Sequence, residues 1–181
     1  ELSSFIKEHN IEIQKFVHCA GFMKMVPLKT VNIETINTTF ATNIFSAALI
    51  IKVLTNRKLN NAALTTVVLI SSNISNFGAK AFSIYGASKA GLDGLMRSLA
   101  VELAPKVRIN SVLPGAVKTE MTESIYEDEE TVKRMEATYP LGLGETSDIF
   151  EIVDFLLSEK ARWITGQQFT VDGGRTINIT V

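Results

Sequence analysis

Residues 85–104 read YGASKAGLDGLMRSLAVELA, a single long helical segment in which Lys89 follows Tyr85 by four positions, and Ser72 stands thirteen positions ahead of the tyrosine. Four residues is about one helical turn, so the phenol and the ammonium share a face. A free tyrosine ionises near pH ~10, too high for proton exchange at neutral pH, and a cation held beside it is expected to lower that value. The same spacing occurs on any solvated helix face. What distinguishes this one is its setting.

Ser72 follows the apolar run Val67-Val68-Leu69-Ile70, short, β-branched and flanked by polar residues, which predicts a strand over 66–71 buried on both faces. Its hydroxyl would emerge at the carboxyl end of that strand, where open α/β sheets bind ligands. Outward from there the chain alternates strands and helices. The first 15 residues read as the end of a helix and a linker into a strand, Phe-Val-His-Cys-Ala-Gly. From Glu34 to about Asn56, Ile36, Phe40, Ile44, Ala47 and Ile51 recur at helical spacing. The Tyr85 helix runs to about Ala104 and stops at Pro105. Val107–Leu113 is a strand closed by Pro114-Gly115. Asp148 with Glu151 resembles a capping box, followed by the stripe Ile149, Ile152, Val153 and Leu156. Phe169–Val171 is the last strand, ended by Asp172-Gly173-Gly174. Strands separated by helices imply a parallel sheet, here of four strands.

Five blocks in order resemble the compact subgroup of the short-chain dehydrogenase/reductase family: FVHCAG at 16–21, Asn43 in TNIFSA, Ser72 in ISS, YGASK at 85–89, and VRINSVLPGAVKTEM, with a similar ending through VDGG at 171–174. The resemblance implies a Rossmann-like, doubly wound parallel sheet in a three-layer α/β/α arrangement, a single domain over 1–181. It implies an NAD(P)-dependent oxidoreductase moving hydride between a nicotinamide cofactor, NADP or NAD, and a carbonyl or alcohol carbon. Tyr85 would be the proton donor, Ser72 would orient the oxygen, Lys89 would lower the tyrosine pKa and hold the nicotinamide ribose, and Asn43 would support a relay water. Ala20, Gly21, Pro114, Gly115 and Thr119 would approach the cofactor, glycine permitting that closeness. By block similarity the nearest relatives are 3-oxoacyl-carrier-protein reductases of fatty acid biosynthesis. Sugar, polyol and steroid dehydrogenases share the same blocks, and a silent relative acting as a binding or scaffold subunit is the rival of another class. The resemblance further implies a homodimer or homotetramer built on the Asn43 and Tyr85 helices.

The family opens with a strand, a Thr-Gly-x-x-x-Gly-x-Gly turn and a helix that receives the cofactor pyrophosphate. No such glycine cluster occurs here. The expectation is an N-terminally incomplete domain short of roughly two βα units, with FVHCAG as an exposed sheet edge, apolar surface uncovered on one side and little activity on its own. A surviving portion of a longer chain, a truncation and a shortened relative are the competing explanations. Where the family has two asparagines, this chain has His18 and Cys19. Neighbouring strand residues point to opposite faces and no further ligands stand near, so no metal site is read.

Composition carries the remaining expectations. Eighteen basic against 19 acidic residues leave a net charge of −1, no electrostatic reason for a nucleic acid or anionic membrane partner. Cys19 is the only cysteine, which excludes an intrachain disulfide and fits a cytoplasmic enzyme. No signal peptide and no apolar stretch long enough for a bilayer is read. The acidic segment Met121–Glu136 corresponds to the family's mobile helical lid, and Glu127-Asp128-Glu129-Glu130 reads as a solvated helix start. Lys118, Lys133 and Arg134 nearby suit an acyl-carrier substrate as well as a free small molecule.

Overall fold

The computed structural model describes residues 1–179, the side chain of Ser124 excepted. Its centre is a parallel sheet of four strands in the order β1 (Lys15–His18), β2 (Thr66–Ile70), β3 (Arg108–Pro114), β4 (Gln168–Val171). The register places His18 beside Leu69 and Leu69 beside Ser111. Strand β2, TVVLI, is buried along nearly its whole length, as a run without polar alternation requires. Among the described residues β1 pairs only with β2, the edge position expected of it.

Helices α1 (Leu2–His9), α2 (Ile33–Phe40), α3 (Ser46–Leu54), α4 (Arg57–Asn60) and α5 (Ser83–Glu102) precede β3, and α6 (Glu123–Tyr126), α7 (Glu129–Glu136) and α8 (Thr146–Leu157) follow it. One core packs Val67, Leu69 and Ile109 of the sheet against Leu92, Met96 and Ala100 of α5 and Ile51 and Leu54 of α3. Burying each Leu, Ile or Met there is worth about 1.5–3 kcal/mol. The other face is smaller: Val68 and Val112 meet Leu156 of α8, while Val17 and Ile70 are only partly covered and Phe150 is 62% exposed. This is the apolar surface expected on one side of the sheet.

Three local expectations are corrected. The helix expected over 34–56 is interrupted: Ala41–Phe45 forms a π turn between α2 and α3. The widened turn brings Thr35, Thr39 and Asn43 to the buried side, while Ile36, Phe40 and Ile44 are half-buried. The capping box of α8 lies one turn earlier than expected. Glu145 is the N-cap, and Asp148 accepts its amide at 2.7 Å from the third helical position. Finally, Ile33–Leu54 is by length and composition apolar enough to cross a membrane, with a mean hydropathy of 1.3, which the sequence reading did not register. In the fold its inner side packs on α5 through those polar residues and on the sheet through Ala47 and Ile51.

Helix α5 ends at Glu102, just before a cis Ala104–Pro105 bond. Its twenty residues set Tyr85 at one end, directly beyond the carboxyl end of β2.

Candidate active site

A cavity of about 840 Å³ opens at the carboxyl ends of β1, β2 and β3, with Val17, Ile70 and Pro114 in its wall. Strand β2 delivers Ser71 and Ser72 at its end, and a short 3₁₀ turn, Asn73–Ser75, carries the chain away. The first turns of α5 bring Tyr85 and Lys89 to the same place. All three of Ser72, Tyr85 and Lys89 line the cavity, and all are buried, at 7%, 8% and 4% exposure.

The Ser72 hydroxyl accepts the amide of Ile74 at 3.3 Å and lies beside the Tyr85 phenol, on whose pKa it acts. Lys89 Nζ donates to the carbonyl of Ile70 at 2.9 Å and stands 5.8 Å from the centre of the Tyr85 ring. Burial pushes the Tyr85 phenol above its ordinary value, and the neighbouring Ser72 hydroxyl offsets part of that rise. Here the structure departs from expectation: the ammonium, bonded to Ile70, is not what lowers the tyrosine. Lys89 itself is pulled from 10.5 to about 8 by burial, against the opposing pull of Asp93 and then of Cys19.

Asn43 stands in the π turn behind the cavity wall, with no exposed surface. Its Oδ1 accepts the amide of Phe22 at 2.7 Å, and its Nδ2 donates to the carbonyl of Phe22 at 3.1 Å and to Ser88 Oγ at 2.8 Å. The Ser88 hydroxyl in turn donates to the carbonyl of Tyr85 at 2.7 Å. Asn43 thus clamps the loop after β1 to the helix that carries Tyr85. Both amide hydrogens are spent, which leaves a relay water only the amide oxygen or the main chain. A single π turn around a buried asparagine has no pattern in the apolar periodicity, and Ser88 has no signal apart from its place between Tyr85 and Lys89.

Gly21, Pro114, Gly115 and Thr119 also line the cavity. Ala20 does not: it is exposed, between two residues that do. At Gly21 a β-carbon would come within 3.1 Å of Met121 Cε and 3.6 Å of Lys89 Nζ, so the missing side chain leaves room beside the ammonium. Gly115 has a different reason. A β-carbon there would meet Asp172 Cα at 2.8 Å and Tyr139 Cε1 at 2.9 Å, so the fold itself requires this glycine. Asp172 was not anticipated as a site support. Its carboxylate accepts from Asn73 Nδ2 at 3.3 Å and from the amide of Thr176 at 2.9 Å, tying the end of β4 to the turn after Ser72.

His18 and Cys19 separate as adjacent strand residues do. His18 is buried, its Nε2 2.7 Å from Ser46 Oγ, and burial, then the Lys89 charge, pulls the imidazole below its usual range. Cys19 is exposed and its thiol is raised, chiefly by burial of part of the group. The expected lid is helical: the 3₁₀ turn Glu120–Thr122, then α6 and α7, whose Met121, Ile125 and Met135 face the cavity. Asp128 caps α7 by accepting the amide of Glu130, the solvated helix start expected of the acidic run.

A parallel Rossmann-like sheet with serine, tyrosine and lysine gathered at the mouth of its strands defines the class to which this chain is to be compared. A family model described as Enoyl-(Acyl carrier protein) reductase matches residues 1–176. The chain belongs to the short-chain dehydrogenase/reductase family. It is 30% identical over 170 residues to an L-rhamnose 1-dehydrogenase (NAD(P)(+)) of Sphingomonas sp. (strain SKA58), a match covering 93% of this chain and 67% of that protein. It is 39% identical over 113 residues to a tropinone reductase homolog of Arabidopsis thaliana, covering 61% of this chain and 42% of the relative. A solved short-chain type dehydrogenase/reductase from Mycobacterium ulcerans superposes with a TM-score of 0.88 at 29% identity, over 98% of this chain and 66% of that one. The matched part therefore spans between about two fifths and two thirds of the curated relatives' length.

Proposed function

We propose that this chain carries the reaction site of an NAD(P)-dependent oxidoreductase that reduces a carbonyl, or oxidises the corresponding alcohol, on a largely apolar substrate. The observation that carries the reading is that Ser72, Tyr85 and Lys89 are all buried in one cavity wall, with Lys89 one turn along the helix from the phenol and its Nζ held by the Ile70 carbonyl. NAD or NADP fits the side of the cavity that Gly21 leaves open beside Lys89, and Gly21, Pro114, Thr119 and Lys89 would hold it there. When bound, the cofactor supplies or accepts the hydride. A name that includes NAD(P)(+) on the Sphingomonas relative supports this choice.

Tyr85 donates its phenolic proton to the substrate oxygen in the reductive direction. Its raised pKa in the cofactor-free site keeps that proton in place near neutral pH. Ser72 bonds the same oxygen and stabilises the charge that grows on it. Lys89 contributes a cation beside the phenol. Asn43, through Phe22 and Ser88, fixes the two walls relative to each other.

For the substrate, the walls beyond Ser72 and Tyr85 are decisive: Met23, Met25, Phe82, Met121, Ile125 and Met135. Such a wall supports an acyl chain over a polyol, which would leave several hydroxyls without partners. A 3-oxoacyl thioester is the specific form we propose, and exposed Lys118, Lys133 and Arg134 beside the lid suit an acidic carrier. The named activity of the Sphingomonas relative favours a sugar as the second reading. Exposed Phe45 and Leu49 on the π turn and α3, with Val101 on α5, support a homo-oligomer.

The test is oxidation of NADPH and NADH by the intact native protein with a 3-oxoacyl thioester and, separately, with a simple aldose such as L-rhamnose under the oxidised cofactor. Thioester-dependent turnover that Tyr85→Phe abolishes is the expected result. Turnover of the sugar alone would replace the substrate assignment, and no turnover with either would overturn the proposal.

A further inference from the structure

Asp93 lies four residues beyond Lys89 on the inner face of α5, at 1% exposure, and neither carboxylate oxygen has a hydrogen-bond partner among the described residues. An ionised carboxylate placed in a protein interior without a partner is costly, and helical spacing puts its natural one, the Lys89 ammonium, on the adjoining turn. Nothing in the mechanism above uses it.

We infer that Asp93 is a positioning residue for Lys89, its buried carboxylate being the counter-charge that keeps the ammonium charged and in register with Tyr85. The inference rests on the role proposed for Lys89. The groups that face the ammonium are few. Tyr85 and Asp93 lie on its own helix, His18 and Cys19 at the end of β1, and the Ile70 carbonyl belongs to β2. Among the described residues, two groups oppose the effect of burial on Lys89, and Asp93, the carboxylate of the two, is the stronger. Without it, the ammonium would be left with neutral or reluctantly ionised neighbours in a site that already disfavours charge.

The experiment is a ¹⁵N titration of the lysine side chains in the cofactor-free native protein, with the Lys89 signal assigned by its loss in Lys89→Met. In Asp93→Asn the Lys89 midpoint is expected to fall by about one pH unit or more, a tenfold change in the proton equilibrium. The alkaline limb of kcat/KM for cofactor-dependent reduction should move in the same direction. An unmoved midpoint overturns the inference, and does so even in a fully active enzyme. A wild-type protein that turns nothing over would sink the functional reading, while the lysine titration would still report the pairing. If Asp93→Asn does not fold, the double variant Lys89→Met/Asp93→Asn decides: recovery of folding when both charges are removed supports the pair, and a double variant that also fails overturns it.

Discussion

Phe22 and Asn43 are joined by two hydrogen bonds, the Phe22 amide donating to Asn43 Oδ1 at 2.7 Å and Asn43 Nδ2 donating back to the Phe22 carbonyl at 3.1 Å. An amide side chain that pairs with a peptide group in this way takes the place of a strand neighbour just where β1 ends and its loop begins. Asn43→Ala removes that pairing and the bond to Ser88 together, leaving the half-buried amide and carbonyl of Phe22 without the side chain that pairs them. At about 1–3 kcal/mol for each of these two groups, the loss should be about 2–6 kcal/mol. Urea unfolding measures it, and Asn43→Asp, which keeps the acceptor but loses both donors, should recover only part. A loss below about 1 kcal/mol for Asn43→Ala would mean that the loop is held by other contacts.

Tyr85→Phe removes one oxygen from a ring that otherwise stays packed against Phe82, 6.0 Å between centroids. Loss of the proton donor predicts a fall in kcat of about 10²–10⁴-fold with stability changed by no more than about 1.5 kcal/mol. Ser72→Ala should cost about 10²–10³-fold. It should also raise the pH at which the phenol ionises, because the Ser72 hydroxyl is the contribution that lowers Tyr85. Ultraviolet difference titration of the tyrosine reads that shift, and a downward movement would show that the influence of Ser72 has been assigned the wrong sign.

Lys89 makes stability depend on pH in a defined direction. Its pKa falls from 10.5 to about 8 on folding. Between those values the unfolded chain binds more protons than the folded one, so stability rises with pH across that window. Below about pH 8 the full cost of the buried ammonium is present, up to about 3 kcal/mol. The raised Cys19 thiol acts in the opposite sense from about pH 9 upward and makes the climb shallower, and the raised tyrosines, Tyr85, Tyr126 and Tyr139, oppose it only above about pH 10. Urea midpoints of the cofactor-free protein should therefore climb from pH 8 to 10, and Lys89→Met should flatten the climb. An equal slope in the two proteins would contradict it.

The four parallel strands with the 16–21 strand at an edge, the two-sided burial of β2 and the place of Ser72, Tyr85 and Lys89 at one cavity were legible because each follows from chain-local patterns: an uninterrupted apolar run, a helical spacing, a strand end. The π turn was not legible. Ile36, Phe40 and Ile44 keep a helical interval through it, and only the tertiary demand for Asn43 to reach Phe22 selects the wider turn. The state of Tyr85 was misread for a related reason. Spacing shows that Lys89 is near but not that its ammonium donates to the Ile70 carbonyl, nor how far burial outweighs charge. Asp172 was read only as part of a turn, since its partners, Asn73 and Thr176, come together through β4 and not through sequence proximity.

Two glycines of similar appearance in the sequence separate by what surrounds them. At Gly91 a β-carbon would stand 2.7 Å from Ile44 Cδ1, the free end of a half-buried side chain that can turn aside. The substitution also gains helix propensity worth about 1 kcal/mol, so Gly91→Ala should alter stability by less than about 1 kcal/mol. At Gly115 the obstruction is the Asp172 Cα at 2.8 Å, backbone that cannot rotate away, together with the Tyr139 ring whose oxygen accepts the Ala116 amide at 3.0 Å. Gly115→Ala must push β4 from β3 or displace Tyr139, at about 1–3 kcal/mol. For a chain of this size that lowers Tm by about 2–4 °C per kcal/mol. Asp172 also holds the turn after Ser72, so the same push should loosen the hydroxyl and lower kcat. Thermal melts and initial rates on the two alanine variants check both parts, and equal melting temperatures would show that the contact between Gly115 and Asp172 relaxes freely.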